Sequence, residues 1–190
     1  MTRVTVVMED SDTASEQGPG RTWLRILLTL VVAGFAVFWI WALFFASKES
    51  VNRIGDTAWA ERAEAICLAA TEARLELTDL TRIDRPTPEL IERRADIVDE
   101  STDILAAMLD DVVAVQPADA KGRAIVPMWE AEYRTYLGDR RRYADQLRER
   151  GDNLAFYETE SEGLPISERI ATFAGDNDMS SCAPPIDLSR

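Results

Sequence analysis

Histidine is absent from the 190 residues, and lysine and cysteine each occur only twice. Without imidazole there is no His-based triad, no imidazole metal site and no imidazole proton relay. Two cysteines 115 positions apart cannot build a metal site, which needs about four ligands at close spacing. Positive charge is scarce too. The net charge of −13 leaves nothing to neutralise a row of phosphates, so a nucleic-acid partner is excluded. No Gly-rich phosphate loop, nucleophile elbow or zinc signature is present. A 46% hydrophobic content is nevertheless too high for a disordered chain.

What the chain does have is one long uncharged run. Residues 26–46, ILLTLVVAGFAVFWIWALFFA, carry no charge over 21 positions. At a rise of about 1.5 Å per residue such a helix spans roughly 30 Å, the thickness of a bilayer core. Trp23 stands at one end and Trp39 and Trp41 toward the other, where indoles favour the headgroup level. The run exceeds the apolar core of a cleavable signal peptide, and cleavage after Ala46 would place bulky Phe44 at the −3 position. An uncleaved signal-anchor over 23–46 is therefore expected, with the lipid bilayer as its partner. Arg3, Arg21 and Arg25 precede it, and Lys48, Arg53 and Arg62 follow, so basic flanks do not set the orientation.

Residues 1–22 read as a disordered tail. Ser11, Thr13 and Ser15 are candidate phosphorylation sites there, against the simpler reading of a solvated segment. Residues 47–56 read as a polar connector, and 57–190 as one domain, so that roughly 140 residues are available for a core. Asp56 is a good N-cap, and Trp59, Ala63, Ile66, Cys67, Ala70, Ala73, Leu77 and Leu80 recur at helical spacing, predicting a helix of about 25 residues. Thr87 and Pro88 signal a second start, with Ile91, Val98, Leu105 and Val112 at intervals of seven. A third helix is expected from about Asp119 to Arg150, kinked or restarted by Pro127 and ended by Gly151. AFYETE suggests a brief extended stretch with no visible partner strand. Pro165 opens a short fourth helix, and Pro184 and Pro185 forbid helix in the tail. The expected fold is all-α: a transmembrane helix, then an up-down bundle of three long helices and one short one.

Cys67 and Cys182 admit two readings: a structural disulfide in an oxidising compartment, which would tie the tail to the first bundle helix, or two separate buried thiols. The disulfide is favoured, because the Pro-rich tail otherwise lacks an anchor. Trp129, Tyr133, Tyr136, Arg140 and Tyr143 share one face of the third helix. They could hold an anionic or sugar-like ligand, or form a core stripe. Asp176, Asp178, Ser180 and Asp187 fall at positions 1, 3, 5 and 12 of a calcium loop, but Ser181 replaces the turn glycine and two prolines intervene, so no metal is expected. Adjacent acids such as Asp99–Glu100 and Asp110–Asp111 diverge on a helix and make no dyad. No catalytic residue and no cofactor is expected.

Three stretches carry a resemblance: W-x3-Y-x2-Y-L-x-D-R-R-x-Y-A from Trp129, P-I-x-E-R-I-x-T-F-A from Pro165, and N-D-M-x-x-C-x-P-P-x-D-L from Asn177. They resemble uncharacterised single-pass membrane proteins of actinobacteria, and the 19 arginines against two lysines suit a GC-rich genome. The resemblance implies an anchored helical ectodomain with paired cysteines, and no activity. The function expected is a non-enzymatic cell-envelope protein with a cytoplasmic N-terminus, displaying an acidic domain outward as an interaction or accessory module. A ligand-sensing ectodomain using Trp129, Tyr136 and Arg140 is the alternative, and a carboxylate-only enzyme is the least favoured reading. Residues 47–190 hold 30 acids and 18 bases, so the domain should stand off an anionic bilayer. Any electrostatic protein partner should be basic.

Overall fold

The computed structural model describes residues 19–45, 50–79 and 85–188. The phosphorylation candidates Ser11, Thr13 and Ser15, the first part of the connector (residues 47–49) and Leu80 lie outside the described residues. The chain divides into two units, Met1–Lys48 and Glu49–Arg190.

In the first unit, helix α1 runs Pro19–Phe44. It starts before the expected boundary at residue 23. Within it Thr22–Phe44 is long and apolar enough to cross a membrane, with a mean hydropathy of 2.5 in its most apolar window and none of that window buried by protein. Thr29 hides its hydroxyl by donating to the Arg25 carbonyl at 2.9 Å, so the polar residue in the run leaves no donor facing outward.

The second unit is built from α2 (Thr57–Glu76), α3 (Pro88–Val113), α4 (Ala120–Arg150) and α5 (Ile166–Asp176). Two short strands, β1 (Glu160–Ser161) and β2 (Leu164–Pro165), precede α5, and one 3-10 turn over Ser180–Cys182 follows it. Among the described residues the chain is all-α apart from that hairpin. Helix α3 packs on α2 and α4, α4 on α5, and α2 on the 3-10 turn.

The local start and stop signals act as their chemistry requires. The Asp56 carboxylate accepts from the Trp59 N–H at 3.0 Å, and Thr87 Oγ1 from Leu90 N–H at 3.3 Å with Pro88 at the first helical position. Gly151 closes α4 in the left-handed region, φ 63°. Asp56 and Asp119 also cap reciprocally. Asp56 accepts from Ala118 N–H at 2.7 Å, and Asp119 accepts from both Gly122 N–H at 2.8 Å and Asp56 N–H at 3.1 Å. The starts of α2 and α4 are thereby stitched together.

Four expectations are corrected. Helix α2 ends at Glu76, after 20 residues rather than about 25. Helix α4 does not restart at Pro127 but continues through it. That residue lies on the exposed face, where the Arg123 carbonyl it leaves unbonded can reach water. Residues 50–56 are no free connector. Ser50 and Asn52 donate to Asp176 at 2.5 and 3.0 Å, Ile54 N–H donates to Asn177 at 2.8 Å, and the Ile54 side chain is buried in the core. The end of AFYETE does find a partner: Glu160 and Ser161 pair with Pro165 and Leu164 across Glu162–Gly163. Both turn residues have positive φ, 56° and 81°, the signature of a tight two-residue hairpin.

The interior consists of two apolar clusters. The larger gathers Trp59, Cys67, Leu105, Leu109, Trp129, Tyr133, Ile170 and Cys182 among others. The smaller comprises Ile91, Ala95, Val98, Tyr143, Ala144, Leu147 and Leu188. On the outside, Arg148 of α4 reaches Glu92, Asp96 and Asp99 of α3 at 3.1, 2.8 and 2.7 Å, and Asp110 of α3 pairs with Arg134 of α4 at 3.0 Å. Asp110, near the C-terminal end of α3, thus finds a base on another helix.

Candidate functional site

Along α3 the sequence between the two clusters is Ser101–Thr102, and along α4 it is Arg140. These positions meet to form a polar layer inside the bundle. Arg140 is fully buried, and all five of its N–H groups have acceptors. Nε donates to Thr102 Oγ1 at 2.9 Å. Nη1 donates to Tyr136 Oη at 3.3 Å and Asp187 Oδ1 at 2.7 Å. Nη2 donates to Ser101 Oγ at 3.1 Å and Asp187 Oδ2 at 2.9 Å. The Asp187 contact is a two-pronged guanidinium–carboxylate pair. The acceptors are satisfied in turn. Thr102 donates to the Val98 carbonyl at 2.6 Å, Tyr136 to the Pro185 carbonyl at 3.2 Å, and Ser101 to Asp187 at 3.4 Å. A buried cation unpaired in an apolar interior would be very costly, and here it is fully compensated.

Asp187 reaches the layer because the tail is fastened just before it. Cys67 of α2 and Cys182 are joined by a disulfide, with Cα atoms 5.0 Å apart and both residues fully buried. Glu64, one turn before Cys67, accepts from Ser181 N–H at 2.9 Å and Ser181 Oγ at 2.6 Å. Five residues beyond the disulfide, the tail delivers Asp187 to Arg140 and Leu188 to the smaller apolar cluster.

The electrostatics follow from this geometry. Burial alone would push the Asp187 carboxyl up, but the hydrogen bonds and charge of Arg140, with Arg74 and Ser101, hold it below its ordinary value of 3.8. Burial likewise pulls the Arg140 guanidinium down, and the pairing with Asp187 and Tyr136 carries it above its ordinary value. Burial raises the phenols of Tyr133 and Tyr136 above 10.0.

The aromatic face named from the sequence is therefore interior. Trp129, Tyr133, Tyr136, Arg140 and Tyr143 are each at most 3% exposed. Tyr133 stands edge-on between Trp129 and Tyr136, with ring centres 5.4 and 6.3 Å away. Tyr143 donates to the Leu154 carbonyl at 3.0 Å, while Trp129 Nε1 and Tyr133 Oη have no partner among the described residues. The place beside Arg140 that a ligand anion would take is held by Asp187. The calcium-loop candidates do not converge: Asp176 serves Ser50 and Asn52, Asp178 pairs with Arg53 at 2.8 Å, and Asp187 pairs with Arg140.

Ser101 and Asp187 as partners of Arg140 escaped the sequence reading. One signal pointed to them. An arginine on a stripe of aromatic core residues must find a carboxylate, and Asp187 lies on the tail that Cys182 tethers. No family model, no curated protein and no solved structure matches the chain.

Proposed function

We propose that the protein is a membrane-anchored, non-enzymatic envelope component, with α1 in the bilayer, the N-terminus in the cytoplasm and the acidic helical domain outside as an interaction or accessory module. The four domain helices are read as an up-and-down bundle. The observation that carries the proposal is the fully buried Cys67–Cys182 disulfide. Such bonds persist in oxidising compartments and are rare in reducing ones, so residues 50–188 belong on the outer side of the membrane. The non-enzymatic reading is supported by the use made of the site's polar groups. Every donor of Arg140 is held by the chain itself, and the acids of α3 facing α4 are engaged by Arg134 and Arg148. For the same reason a ligand site at Trp129, Tyr136 and Arg140 is the weaker reading, since Asp187 already plays the anion. A basic protein surface is the partner that suits the net charge.

Protease added to intact spheroplasts should remove the domain and leave α1 protected. Digestion only after permeabilisation would reverse the orientation and remove the argument from the disulfide.

A further inference from the structure

A cavity of about 510 Å³ opens between the C-terminal end of α2, the first half of α3 and the tail segment 185–188. It lies within the range of small-molecule pockets, roughly 300–1,000 Å³. Leu90, Ile97, Val98 and Leu188 give it apolar walls, and the exposed Leu75 and Ile186 stand at its rim. Three arginines also line it. Arg93 is paired with Asp79 at 2.9 Å, and the one other carboxylate in the wall, Asp187, is held by Arg140. Arg74 and Arg94 are different. The Nε of each is buried with no hydrogen-bond partner among the described residues, and Arg74 makes a single long bond, 3.4 Å, to Thr71. Guanidinium donors removed from water without acceptors are unfavourable until an acceptor arrives. In a chain of net charge −13, two arginines with unpartnered Nε donors on a largely apolar wall are a local inversion of the prevailing sign.

We infer that this cavity binds a single-chain amphiphile with a carboxylate head, a fatty acid, its head between Arg74 and Arg94 and its chain along Leu90, Ile97, Val98 and Leu188. The head must be acceptor-only, because the spare groups are all donors, and a planar carboxylate matches the guanidinium fork. The tail must be hydrocarbon, because Leu90, Ile97, Val98 and Leu188 make the remaining wall mostly apolar. This goes beyond the function proposed above and rests on neither its orientation nor its partner, since the cavity belongs wholly to the second unit.

The test uses the full chain in nanodiscs of zwitterionic lipid with a photoactivatable laurate analogue, the adducts mapped by mass spectrometry. Adducts are expected in the segments 90–98 and 185–188, competed away by laurate but not by dodecylamine or dodecyl maltoside, which share the chain and lack the carboxylate. The double variant Arg74→Gln/Arg94→Gln should lose labelling by at least several-fold, with its circular dichroism and disulfide unchanged. Should that variant misfold, the competition series on the unaltered chain decides alone. Adducts confined to Thr22–Phe44, or equal competition by dodecylamine, would overturn the inference. Stronger competition by dodecyl phosphate than by laurate would overturn the carboxylate assignment.

Discussion

Replacing Asp187 by asparagine separates the two roles of the polar layer, since the shape stays and the charge goes. Arg140 would keep one neutral acceptor and remain a buried cation without a counter-charge. Breaking a fully buried pair in this way costs about 3–5 kcal/mol. The Arg140 side chain is wholly buried but that of Asp187 is 36% exposed, so water can approach the vacated side. Discounting for that access brings the expected loss to about 2–3 kcal/mol. In a domain of this size each kcal/mol shifts the melting temperature by about 3–4 °C, so the midpoint should fall by about 6–12 °C. Urea unfolding followed by tryptophan fluorescence measures it. The pH dependence gives an independent check. A carboxyl depressed in the folded state stabilises above its unfolded value and loses that contribution as pH falls below about 3.8 through the folded value. The unaltered protein should therefore lose stability in that acid window more steeply than Asp187→Asn. A second variant, Arg140→Met with Asp187→Leu, should recover most of the loss, because an apolar pair carries no desolvation penalty. A fall below about 0.5 kcal/mol for Asp187→Asn, or acid profiles of the two proteins that superimpose, would refute the view that this pair is a compensated buried charge.

Removing the disulfide with Cys67→Ser/Cys182→Ser opens a loop of 115 residues and should cost about 4–5 kcal/mol in the chain-entropy model, read from urea midpoints. The native protein should show no thiol reactivity before denaturation in reducing conditions, since both sulfurs are buried. Tyr133→Phe removes a buried hydroxyl without a partner and should be neutral or stabilising by up to about 1 kcal/mol. The raised phenols make the unaltered protein lose stability as pH rises above 10.0, because the unfolded chain ionises there first, and Tyr133→Phe should flatten that decline in alkaline melts. Gly138→Ala, in the interior of α4 with open space around the added carbon, should stabilise by about 0.5–1 kcal/mol. Gly122→Ala should destabilise, because its new carbon would lie 2.5 Å from Pro117 and 2.8 Å from Asp119.

The helices were legible where their signals are local. Asp56, Thr87–Pro88 and Gly151 act on backbone groups within four residues, so type and order suffice to place them. The apolar run of α1 is local in the same sense. The restart expected at Pro127 does not occur, since the rule against proline inside a helix concerns one hydrogen bond and one clash. It does not say which face of the helix the proline takes, and on the exposed face the helix continues. The hairpin was missed because two pairs of residues leave no alternation to detect. The docking of Ser50, Asn52 and Ile54 onto Asp176 and Asn177, and the partnership of Arg140 with Asp187, join positions far apart in the chain. The Cys67–Cys182 bond, with Glu64 on Ser181, fastens the tail where Asp187 can reach Arg140. The five-residue face on α4 was visible from its spacing, but whether it lined a cavity or a core depended on Asp187.

The polar layer also explains why so short a tail needs so much fastening. Two apolar clusters of different size could slide past one another along α3 and α4, since hydrophobic contact alone is not directional. A buried arginine with five directed donors forbids such slips: one turn along α3 would replace Ser101 and Thr102 by Leu105 or Val98, which offer no side-chain acceptor. The layer thus fixes the register of α3 against α4, as single buried polar groups do in helical assemblies. It can do so only while a carboxylate is present, and that carboxylate comes from a segment without helix of its own. The disulfide, Glu64 and Leu188 hold Asp187 from both sides, so the covalent bond and the ion pair act as one device. Their energies should not add. In an Asp187→Asn background, loss of the disulfide should cost less than in the unaltered protein, because one consequence of releasing the tail, the stranding of Arg140, has already occurred. Equal costs in the two backgrounds would mean that the tail closes the bundle without completing the layer.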